Sequence, residues 1–338
     1  MTINNILENL KAKNNLNNND IEIIYETFKK KSVSEEETKN LVLLWREKGE
    51  TAFEISTLAN LINSNQRQNT KYTDAIDICG TGGDKLNTFN ISTLSAIVTS
   101  SLGIKVIKHS GRSNTSISGS VDILNEFGVN VDLINELCFQ KTNLMFVSSG
   151  HLKEVFGDVK SVCKKLGAAG FVNLLGPLTN PYKTSFHLLG VSDIKWGNLL
   201  SETLKKDALI VCSNISENIY LDELSFCGTN HLWQIEADKG IIQKTINPEE
   251  FGLSLTDIEH LKIKDKKENK LIFEFVLKGK FNSLKEKECI KATALNTGAA
   301  LFLAKKAPSV KKGYETALKH IQSGTCWEHF QNFINFNK

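Results

Sequence analysis

The sequence predicts an α/β protein: a small all-α domain followed by a larger α/β domain with a mostly parallel central sheet. Residues 3–62 have the apolar spacing of amphipathic helices and contain no strand pattern. From about residue 74, short apolar runs alternate with helical patterns, which is typical of a parallel sheet whose strands are connected by helices. A polar stretch at 63–70 separates the two patterns and is a linker candidate. We therefore predict domains at 1–70 and 71–338.

The all-α domain is predicted to contain successive helices with separate apolar faces. Ser34 begins one of them, because its hydroxyl can cap the helix and Glu37 stands at the third helical position. Gly49 interrupts the helical pattern, which resumes over 52–62. The three apolar faces consist of Ile6, Leu7 and Leu10; Ile21, Ile24, Tyr25 and Phe28; and Leu41, Leu43, Leu44 and Trp45.

The α/β domain is predicted to contain strands and helices in alternation. The strands are predicted at 75–79, 105–108, 144–147, 208–212 and 219–221. The helices are predicted at 91–102, 119–127, 285–306 and 309–321. Two further segments are interpreted as irregular. The lysines and acids of 262–270 suggest a solvated loop, and the two prolines of 170–181 suggest a rigid turn.

The composition excludes several classes of protein. Lys and Arg number 41 against 38 Asp and Glu, so the net charge of +3 gives no reason to expect nucleic-acid binding. Seven scattered cysteines without a CxxC pair predict free, mostly buried thiols in a reducing compartment rather than a disulfide framework or a zinc site. The polar N-terminus lacks a secretory signal, and no apolar stretch reaches the ~18 residues that span a bilayer. We expect a cytoplasmic protein that does not enter a membrane.

A glycine-rich loop is predicted between the strand at 75–79 and the helix that follows. Gly80, Gly82 and Gly83 let the backbone approach a bulky anion, and the polar segment 90–93 lies at a helix N-terminus with free N–H groups. The loop is neither a Walker A motif nor a GxGxxG motif, because the required spacings are absent. It therefore predicts a phosphate-binding loop, with a plain turn as the alternative.

Two further polar segments follow predicted strands. Lys108 and Arg112, among the hydroxyl-rich residues 108–120, suit a polyphosphate and a ribose, although a solvated serine-rich loop would look similar. Asp222 and Glu223 follow the strand at 219–221 and are hard oxygen ligands for Mg²⁺, although such a pair is also common in solvated turns. In an α/β sheet, ligands bind at the carboxyl edge of the strands, so we expect these segments to lie near the glycine loop.

Together these motifs resemble the anthranilate phosphoribosyltransferases. The motifs are GTGGD at 80–84, NTFNIST at 87–93, the Lys108–Arg112 segment, SGS at 118–120, LDE at 221–223 and NLLGPLTNP at 173–181. The likeness runs from KGET at 48–51 to the C-terminus and includes NPEEFGL at 247–253. The resemblance implies a small helical domain, joined by a helical segment near 165–195, and an α/β domain that binds phosphoribosyl pyrophosphate. It also implies a homodimer with the site between domains.

The resemblance further implies a reaction and its residues. The family transfers phosphoribose from phosphoribosyl pyrophosphate to anthranilate in tryptophan biosynthesis, releasing pyrophosphate, with Mg²⁺ as cofactor. The implied donor-binding residues are Gly80, Gly83, Asp84, Thr88, Asn90, Ile91, Ser92, Thr93, Lys108, His109, Ser110, Gly111, Arg112, Ser113, Asn114, Thr115, Ser116 and Ser120. The implied metal ligands are Ser92, Asp222 and Glu223, and the implied catalytic residues are Lys108, Asp222 and Glu223.

The acceptor half departs from the family pattern. The family asparagine that contacts anthranilate is replaced by Gly111, and the family's HPAM segment is missing near His151. The family arginine that faces the anthranilate carboxylate aligns with Cys163 or, in a second register, with Lys160. The candidate acceptor-binding residues are Gly80, Gly111, His151, Lys160 and Cys163, and a carboxylate partner is sought among Lys160, Lys164, His151 and Arg112.

Three functional hypotheses follow. The first is an Mg²⁺-dependent phosphoribosyltransferase with anthranilate as acceptor. The second is a related phosphoribosyltransferase or a nucleoside phosphorylase with another acceptor. Consumption of orthophosphate without any pyrophosphate would select the nucleoside phosphorylase. The third is a non-catalytic paralogue that binds nucleic acid, which the near-neutral charge disfavours.

Overall fold

The computed structural model describes residues 2–66, 71–111, 117–133, 135–167, 170–237 and 239–337. Within these residues the helices are α1 Ile3–Lys11, α2 Asn18–Lys29, α3 Glu35–Lys48, α4 Ala52–Gln66, α5 Ile91–Ser101, α6 Ser120–Glu126, α7 Glu136–Thr142, α8 Gly150–Lys165, α9 Phe171–Leu178, α10 Ile194–Thr203, α11 Lys266–Leu277, α12 Leu284–Leu303, α13 Val310–Gln322 and α14 Thr325–Phe336. The strands are β1 Lys71–Gly80, β2 Lys105–Ser110, β3 Leu144–Ser148, β4 Lys183–Gly190, β5 Asp207–Ser216, β6 Ile219–Leu221, β7 Thr229–Glu236 and β8 Gly240–Ile246. Two short 3₁₀ turns lie at Pro248–Phe251 and Ile258–His260.

All of these strands belong to one mixed sheet. Its order is β3-β2-β1-β4-β5-β7-β8, and β6 pairs with β5 outside that path. The five strands from β3 to β5 are parallel, whereas β6, β7 and β8 join by antiparallel pairing. The prediction of a mostly parallel central sheet is therefore confirmed. The parallel part sets the carboxyl ends of β1, β2 and β4 side by side.

Helices cover both faces of the sheet. On one face, α1 to α4 share a hydrophobic core with α8, α9 and α10, in which Trp45 stacks on Phe171 with ring centroids 4.5 Å apart. On the other face, α5, α11, α12, α13 and α14 form a second core with the inner side of β1 and β2. Within that core α12 is buried along most of its length, and Gly298 lies so close to α13 that a Cβ would be 2.3 Å from the Tyr314 nitrogen.

Several predicted elements are correct in type. No strand occurs within residues 2–66, which form α1 to α4 as expected. Each of the five predicted strands exists, and the predicted helices correspond to α5, α6, α12 and α13 with small shifts at their ends. All seven cysteines are free and buried, as predicted.

Other predictions are wrong. The strands β4, β7 and β8 and the helices α7, α8, α10 and α14 were not expected. The segment 262–270 is not a loop throughout, because Asp265 caps α11 by accepting a hydrogen bond from the Glu268 N–H at 2.8 Å. The segment 170–181 is not simply a turn, because α9 occupies most of it and Pro177 lies inside its last turn. Among the described residues, no helix combines the length and apolarity needed to cross a bilayer.

Candidate active site

The three predicted ligand-binding segments meet in one cavity of about 350 Å³ at the carboxyl edge of the sheet. The loop after β1, the loop after β2 and the acidic pair after β6 line one side of it. The helices α8 and α9 line the other side, so the cavity lies between the sheet and the helices that pack with α1 to α4. A second cavity of about 650 Å³, near the start of β5 and the end of α12, contains none of these segments.

The backbone after β1 is shaped to face an anion. Gly82 and Gly83 have φ angles of 65° and 91°, and Lys85 and Asn87 adopt 61° and 55° although they carry side chains. Left-handed φ angles cost free energy outside glycine and are concentrated at functional sites. Turns of this kind can point successive N–H groups into one concave site for a negatively charged group. The backbone conformation of the loop is therefore compatible with a phosphate-binding role.

Asp222 packs closely against three glycines, two in this loop and one at the end of β4. Its Oδ2 accepts a hydrogen bond from the Gly82 N–H at 2.8 Å. A Cβ on Gly80 would lie 2.6 Å from Oδ2, and a Cβ on Gly190 would lie 1.7 Å from the Asp222 carbonyl oxygen. Gly80 and Gly190 face each other across the pairing of β1 with β4. Their missing side chains make the space that Asp222 occupies.

Lys108 places a positive charge in the cavity floor. Its side chain is almost fully buried, and its Nζ donates hydrogen bonds to the Ile78 carbonyl at 2.5 Å and to the Ser92 Oγ at 3.0 Å. The Ser92 N–H, at the start of α5, donates to the Glu223 Oε1 at 3.0 Å. Ser92 thus links Lys108 of β2 to Glu223, which follows β6.

A polar network fixes the start of α5. The Asn90 side chain donates to the Ser118 carbonyl at 2.9 Å and accepts from the Asn269 amide at 2.6 Å. Thr93 is fully buried and donates to the Ser120 Oγ at 2.9 Å. The loop after β2 and the N-terminus of α5 are therefore held together by direct hydrogen bonds.

Negative charge is crowded in the cavity. Burial, followed by the neighbouring Asp222 carboxylate, raises the pKa of both Asp84 and Glu223, and burial also raises the pKa of Asp222. Lys108 opposes this effect at Asp222 and Glu223. Three carboxyl groups near a single buried ammonium group indicate a site that gains free energy from a further cation.

His109 forms the boundary between the sheet side and the helix side. Its Nδ1–H donates to the Gly176 carbonyl of α9 at 2.7 Å, and its ring stacks on His151 with centroids 5.3 Å apart. Burial, followed by the neighbouring His151, lowers the pKa of His109 to about 3, so the imidazole stays neutral. Among the described residues, neither Nε2 atom of this pair has a hydrogen-bond partner.

The helix α8 contributes Lys160 and Cys163 to the cavity wall. Burial lowers the pKa of the Lys160 ammonium and raises the pKa of the Cys163 thiol. Lys164 also lines the cavity but is exposed to solvent. The helix side therefore offers a partly buried cation beside a neutral thiol.

A buried polar cluster lies beneath the cavity. The Cys79 Sγ is 3.2 Å from the His187 Nε2, and Asp77 accepts hydrogen bonds from the His109 N–H at 3.0 Å and the Asn180 side chain at 2.8 Å. Within the described part of the chain, Asp77, Cys79 and His187 are the one group of three such side chains whose ligand atoms all lie within 4.8 Å of one another. The spacing of the cysteines in the sequence did not predict this cluster. Its carboxylate, Asp77, already accepts hydrogen bonds from protein groups.

Comparisons with known proteins decide the family. The model of the glycosyl transferase family α/β domain matches residues 72–327. The anthranilate phosphoribosyltransferase of Chloroherpeton thalassium is 31% identical over 99% of this chain and 98% of its own length. The enzyme of Oceanobacillus iheyensis is 32% identical over 98% of this chain and 97% of its own length. The chain belongs to the anthranilate phosphoribosyltransferase family.

Solved structures of anthranilate phosphoribosyltransferases share the fold. The enzyme of Thermus thermophilus superposes with a TM-score of 0.84 at 28% identity and covers 98% of both chains. The enzyme of Saccharomyces cerevisiae, solved in complex with PRPP and Mg, has a TM-score of 0.84 at 24% identity and covers 99% of this chain and 97% of its own. These matches extend over the helical part as well as the α/β part.

Most residues implied by the anthranilate phosphoribosyltransferase resemblance line the cavity. Those that do are Gly80, Gly83, Asp84, Thr88, Asn90, Ile91, Ser92, Lys108, His109, Ser110, Gly111, Ser120, Lys160, Cys163, Asp222 and Glu223. Thr93 lies below the surface of the cavity, and His151 reaches it only through the ring of His109. Arg112, Ser113, Asn114, Thr115 and Ser116 lie outside the described residues.

The implied magnesium ligands form a chemically suitable set. Ser92, Asp222 and Glu223 offer hydroxyl and carboxylate oxygens, which hard divalent cations prefer. The raised pKa values of the acids indicate that their negative charges lack full compensation by the protein. The residues therefore fit the cofactor that the anthranilate phosphoribosyltransferase resemblance implies.

Sequence reasoning missed two residues that position groups of this cavity. Gly190 ends β4, a strand that was not expected, and Asn269 belongs to a segment interpreted as a loop. The Asn269 side chain both donates to Asn90 and accepts from its N–H. The helical cap at Asp265 was the signal that could have placed Asn269 on a helix.

Proposed function

We propose that this chain catalyses the Mg²⁺-dependent transfer of phosphoribose from phosphoribosyl pyrophosphate to the amine of anthranilate. The products are N-(5-phosphoribosyl)anthranilate and pyrophosphate, in the pathway of tryptophan biosynthesis. The observation that carries the proposal is the convergence of Lys108, Ser92 and the Asp222–Glu223 pair beside the glycine loop. The names of the curated relatives support the same reaction.

The proposed reaction exchanges one bond at the anomeric carbon. The bond from this carbon to the pyrophosphate oxygen breaks, and a bond to the anthranilate nitrogen forms with loss of an amine proton. Negative charge collects on the departing pyrophosphate, where the Lys108 ammonium and the N–H groups of the glycine loop would stabilise it. Mg²⁺ held by Ser92, Asp222 and Glu223 would supply further positive charge beside the same oxygens.

The protein's own groups would also control the approach of the acceptor. The cavity between the sheet and the helices α8 and α9 would hold donor and acceptor in one orientation and exclude much of the surrounding water. The Nε2 of neutral His109 can accept a hydrogen bond from an N–H group, because its Nδ1–H is already given to the Gly176 carbonyl. The yeast relatives were solved with PRPP and Mg and with 4-fluoroanthranilate, which are ligands of the kind proposed here.

The fluorescence of anthranilate provides the test. Purified protein, phosphoribosyl pyrophosphate and Mg²⁺ should consume anthranilate with loss of its fluorescence and release one pyrophosphate for each molecule consumed. Omission of the donor, or addition of EDTA, should stop both signals. Unchanged fluorescence together with consumption of orthophosphate and a nucleoside would instead support a nucleoside phosphorylase.

The assembly of the chain is a further part of the proposal. We infer that the chain forms a homodimer in the cytoplasm. We also infer two domains, at 1–70 and 71–338, with a helical segment near 165–195 joined to the smaller domain. In the structure α9 and the start of α10 pack with α1 to α4, which supports that assignment of the segment. Analytical ultracentrifugation at micromolar concentration would detect the dimer.

A further inference from the structure

We propose that Asn296 and Asn230 are positioning residues for the magnesium site, because their buried side-chain amides fix the backbone that carries Asp222 and Glu223. This inference rests on the proposed function, in which those two acids hold Mg²⁺. Both asparagines lie behind the wall of the cavity rather than in it, so they would act through the backbone of the acidic segment.

The segment that carries the acids has no regular secondary structure. Residues 222–228 connect β6 to β7 and form neither helix nor strand, although Leu224 and Ser225 are fully buried. Buried peptide groups outside a helix or a sheet need other hydrogen-bond partners, because leaving them unpaired costs free energy. The conformation of this segment therefore depends on the polar side chains around it.

Asn296 of α12 pairs with both backbone polar groups of Leu224. Its Oδ1 accepts a hydrogen bond from the Leu224 N–H at 3.0 Å, and its Nδ2 donates to the Leu224 carbonyl at 2.8 Å. The Nδ2 also donates to the Ala292 carbonyl, one turn earlier on α12, at 2.9 Å. The buried amide is thereby fixed to the helix on one side and to the residue after Glu223 on the other.

Asn230 of β7 holds the next residue in the same way. Its Oδ1 accepts from the Ser225 N–H at 2.9 Å, and its Nδ2 donates to the Ser225 carbonyl at 2.8 Å. Ser213 of β5 is the cross-strand neighbour of Asn230, and its hydroxyl lies 2.5 Å from the Asn230 Oδ1 and 2.8 Å from the Glu223 carbonyl oxygen. Side chains from α12, β7 and β5 therefore hold the backbone from Glu223 to Ser225.

The position of this backbone matters because Mg²⁺ demands a near-ideal arrangement of its oxygen ligands. Groups that orient metal ligands typically contribute about 10- to 100-fold to metal affinity or activity. The Glu223 carboxylate accepts a hydrogen bond from the Ser92 N–H at 3.0 Å, and Ser92 is itself an implied metal ligand. A shift of the acidic segment would therefore disturb the whole set of ligands.

Binding of Mn²⁺, which prefers the same oxygen ligands as Mg²⁺, tests this role without turnover. Electron paramagnetic resonance counts the free ion. Asn296→Leu, which has a similar volume but no hydrogen-bonding group, should raise the Kd for Mn²⁺ by about 10- to 100-fold. Ser213→Ala is a smaller change that serves if Asn296→Leu does not fold, and it should raise the Kd by about two- to tenfold.

Thr297→Val is the matched control. Thr297 follows Asn296 on α12 and is equally buried, but its hydroxyl has no hydrogen-bond partner among the described residues. This variant should leave the Kd for Mn²⁺ unchanged.

Two further measurements separate positioning from a general loss of structure. In a Glu223→Gln background, Asn296→Leu should weaken Mn²⁺ binding by less than about threefold, because the ligand that Asn296 positions is already lost. In the turnover assay, excess Mg²⁺ should restore most of the wild-type kcat to Asn296→Leu, with an unchanged KM for anthranilate.

Four results would overturn the inference. They are a wild-type protein that binds no Mn²⁺, an unchanged Kd in both Asn296→Leu and Ser213→Ala, equal weakening in Thr297→Val, and an equal loss with and without the Glu223 carboxylate. The proposed function fails separately, if the wild type leaves anthranilate unconsumed while the variants still differ in Mn²⁺ binding as expected.

Discussion

Asp222 and Lys108 carry opposite charges in the floor of the same cavity, and each is held by groups that leave it little freedom. Asp222 is fixed by the Gly82 N–H, and Lys108 by the Ile78 carbonyl and Ser92. Because Lys108 is buried and Asp222 is partly buried beside it, their charges act in a medium that screens them more weakly than water does. Their contribution to catalysis should therefore be large for single side chains.

We expect Asp222→Asn and Lys108→Ala each to lower kcat by about two to three powers of ten, as is typical when electrostatic stabilisation of a transition state is lost. The measurement is the initial rate of anthranilate consumption at saturating donor and Mg²⁺. Glu217→Gln, an exposed acid in the turn between β5 and β6, is the matched control and should retain the wild-type rate. Turnover within a factor of two of wild type in both site variants would contradict the assigned roles.

A second prediction at this scale concerns acid stability. Burial, followed by the neighbouring His320, lowers the pKa of His329 to about 4, and its Nε2 lies 2.8 Å from the Ser100 Oγ. Because the pKa of His329 is lower in the folded state than its unfolded value near 6.5, the neutral imidazole makes its full contribution to the free energy of unfolding above pH 6.5. This contribution is lost as the pH falls toward 4. Between pH 6.5 and pH 4.5, the free energy of unfolding should therefore fall by about 2 kcal/mol more in the wild type than in His329→Gln.

Urea unfolding at several pH values measures this effect. His260→Gln is a suitable control, because that histidine is partly exposed and lies in a short surface turn. Parallel curves for the wild type and His329→Gln would show that His329 does not protonate on unfolding in this range.

At the scale of secondary-structure elements, one buried carboxylate joins α3, α4 and the segment before α2. Glu54 accepts hydrogen bonds from the Leu16 N–H at 2.7 Å, the Trp45 Nε1–H at 2.9 Å and the Thr51 N–H at 2.9 Å. It also pairs with Lys48, whose side chain is only 3% exposed. One side chain thereby satisfies donors from three parts of the helical region.

Glu54→Gln should lower the free energy of unfolding by about 3–5 kcal/mol, because it leaves the Lys48 ammonium buried without its partner. Chemical denaturation gives the value. The double variant Glu54→Gln/Lys48→Met should recover part of the loss, since it removes the unpaired charge. Glu47→Gln breaks only an exposed pair with Lys13 and should change stability by less than about 1 kcal/mol. A similar loss for both single variants would contradict the argument.

The sequence predicted elements whose pattern is local and repetitive. Predictions succeeded for α5, whose apolar residues Ile91, Leu94 and Ile97 recur at helical spacing, and failed for β4, which reads Lys-Thr-Ser-Phe before its apolar end. The edge strand β8 is almost wholly exposed, so it carries no alternating apolar pattern at all. Its position is fixed by antiparallel pairing with β7, which is a tertiary contact that a local pattern does not contain.

The difference between local sequence patterns and tertiary contacts also applies to the site. The residues implied for the donor half could be expected to lie in one cavity, because they occur in short contiguous motifs at strand ends. Gly190 could not be predicted, because its importance comes from the Asp222 backbone, which lies far away in sequence. The acceptor half depends on which turn of α8 faces the cavity, and the structure shows that Lys160 and Cys163 both do.

At the scale of the whole molecule, the cavity couples distant parts of the chain. Residues from β1, β2, α5, α8, α9 and the segment after β6 line it, so a ligand that binds there contacts both layers of helices and the sheet between them. A ligand that binds only the folded chain must stabilise it, by about 1.4 kcal/mol at a concentration ten times its Kd. The acids in the cavity make this stabilisation depend on pH.

We therefore expect Mg²⁺ to raise the melting temperature more at pH 9 than at pH 6. Burial, followed by the Asp222 carboxylate, raises the pKa of Asp84 and of Glu223 to about 8, above their unfolded values near 4. Because the folded chain binds these protons more tightly than the unfolded chain, the two acids stabilise the metal-free fold fully below pH 4. This stabilisation is lost as the pH rises through 8. At pH 9 the acids carry their charges and gain most from a divalent cation, whereas at pH 6 protons compete with it.

Differential scanning fluorimetry with MgCl₂, against KCl at equal ionic strength, measures the difference, which Asp222→Asn should reduce. Equal shifts at both pH values, or an equal effect of KCl, would show that Mg²⁺ does not bind these acids.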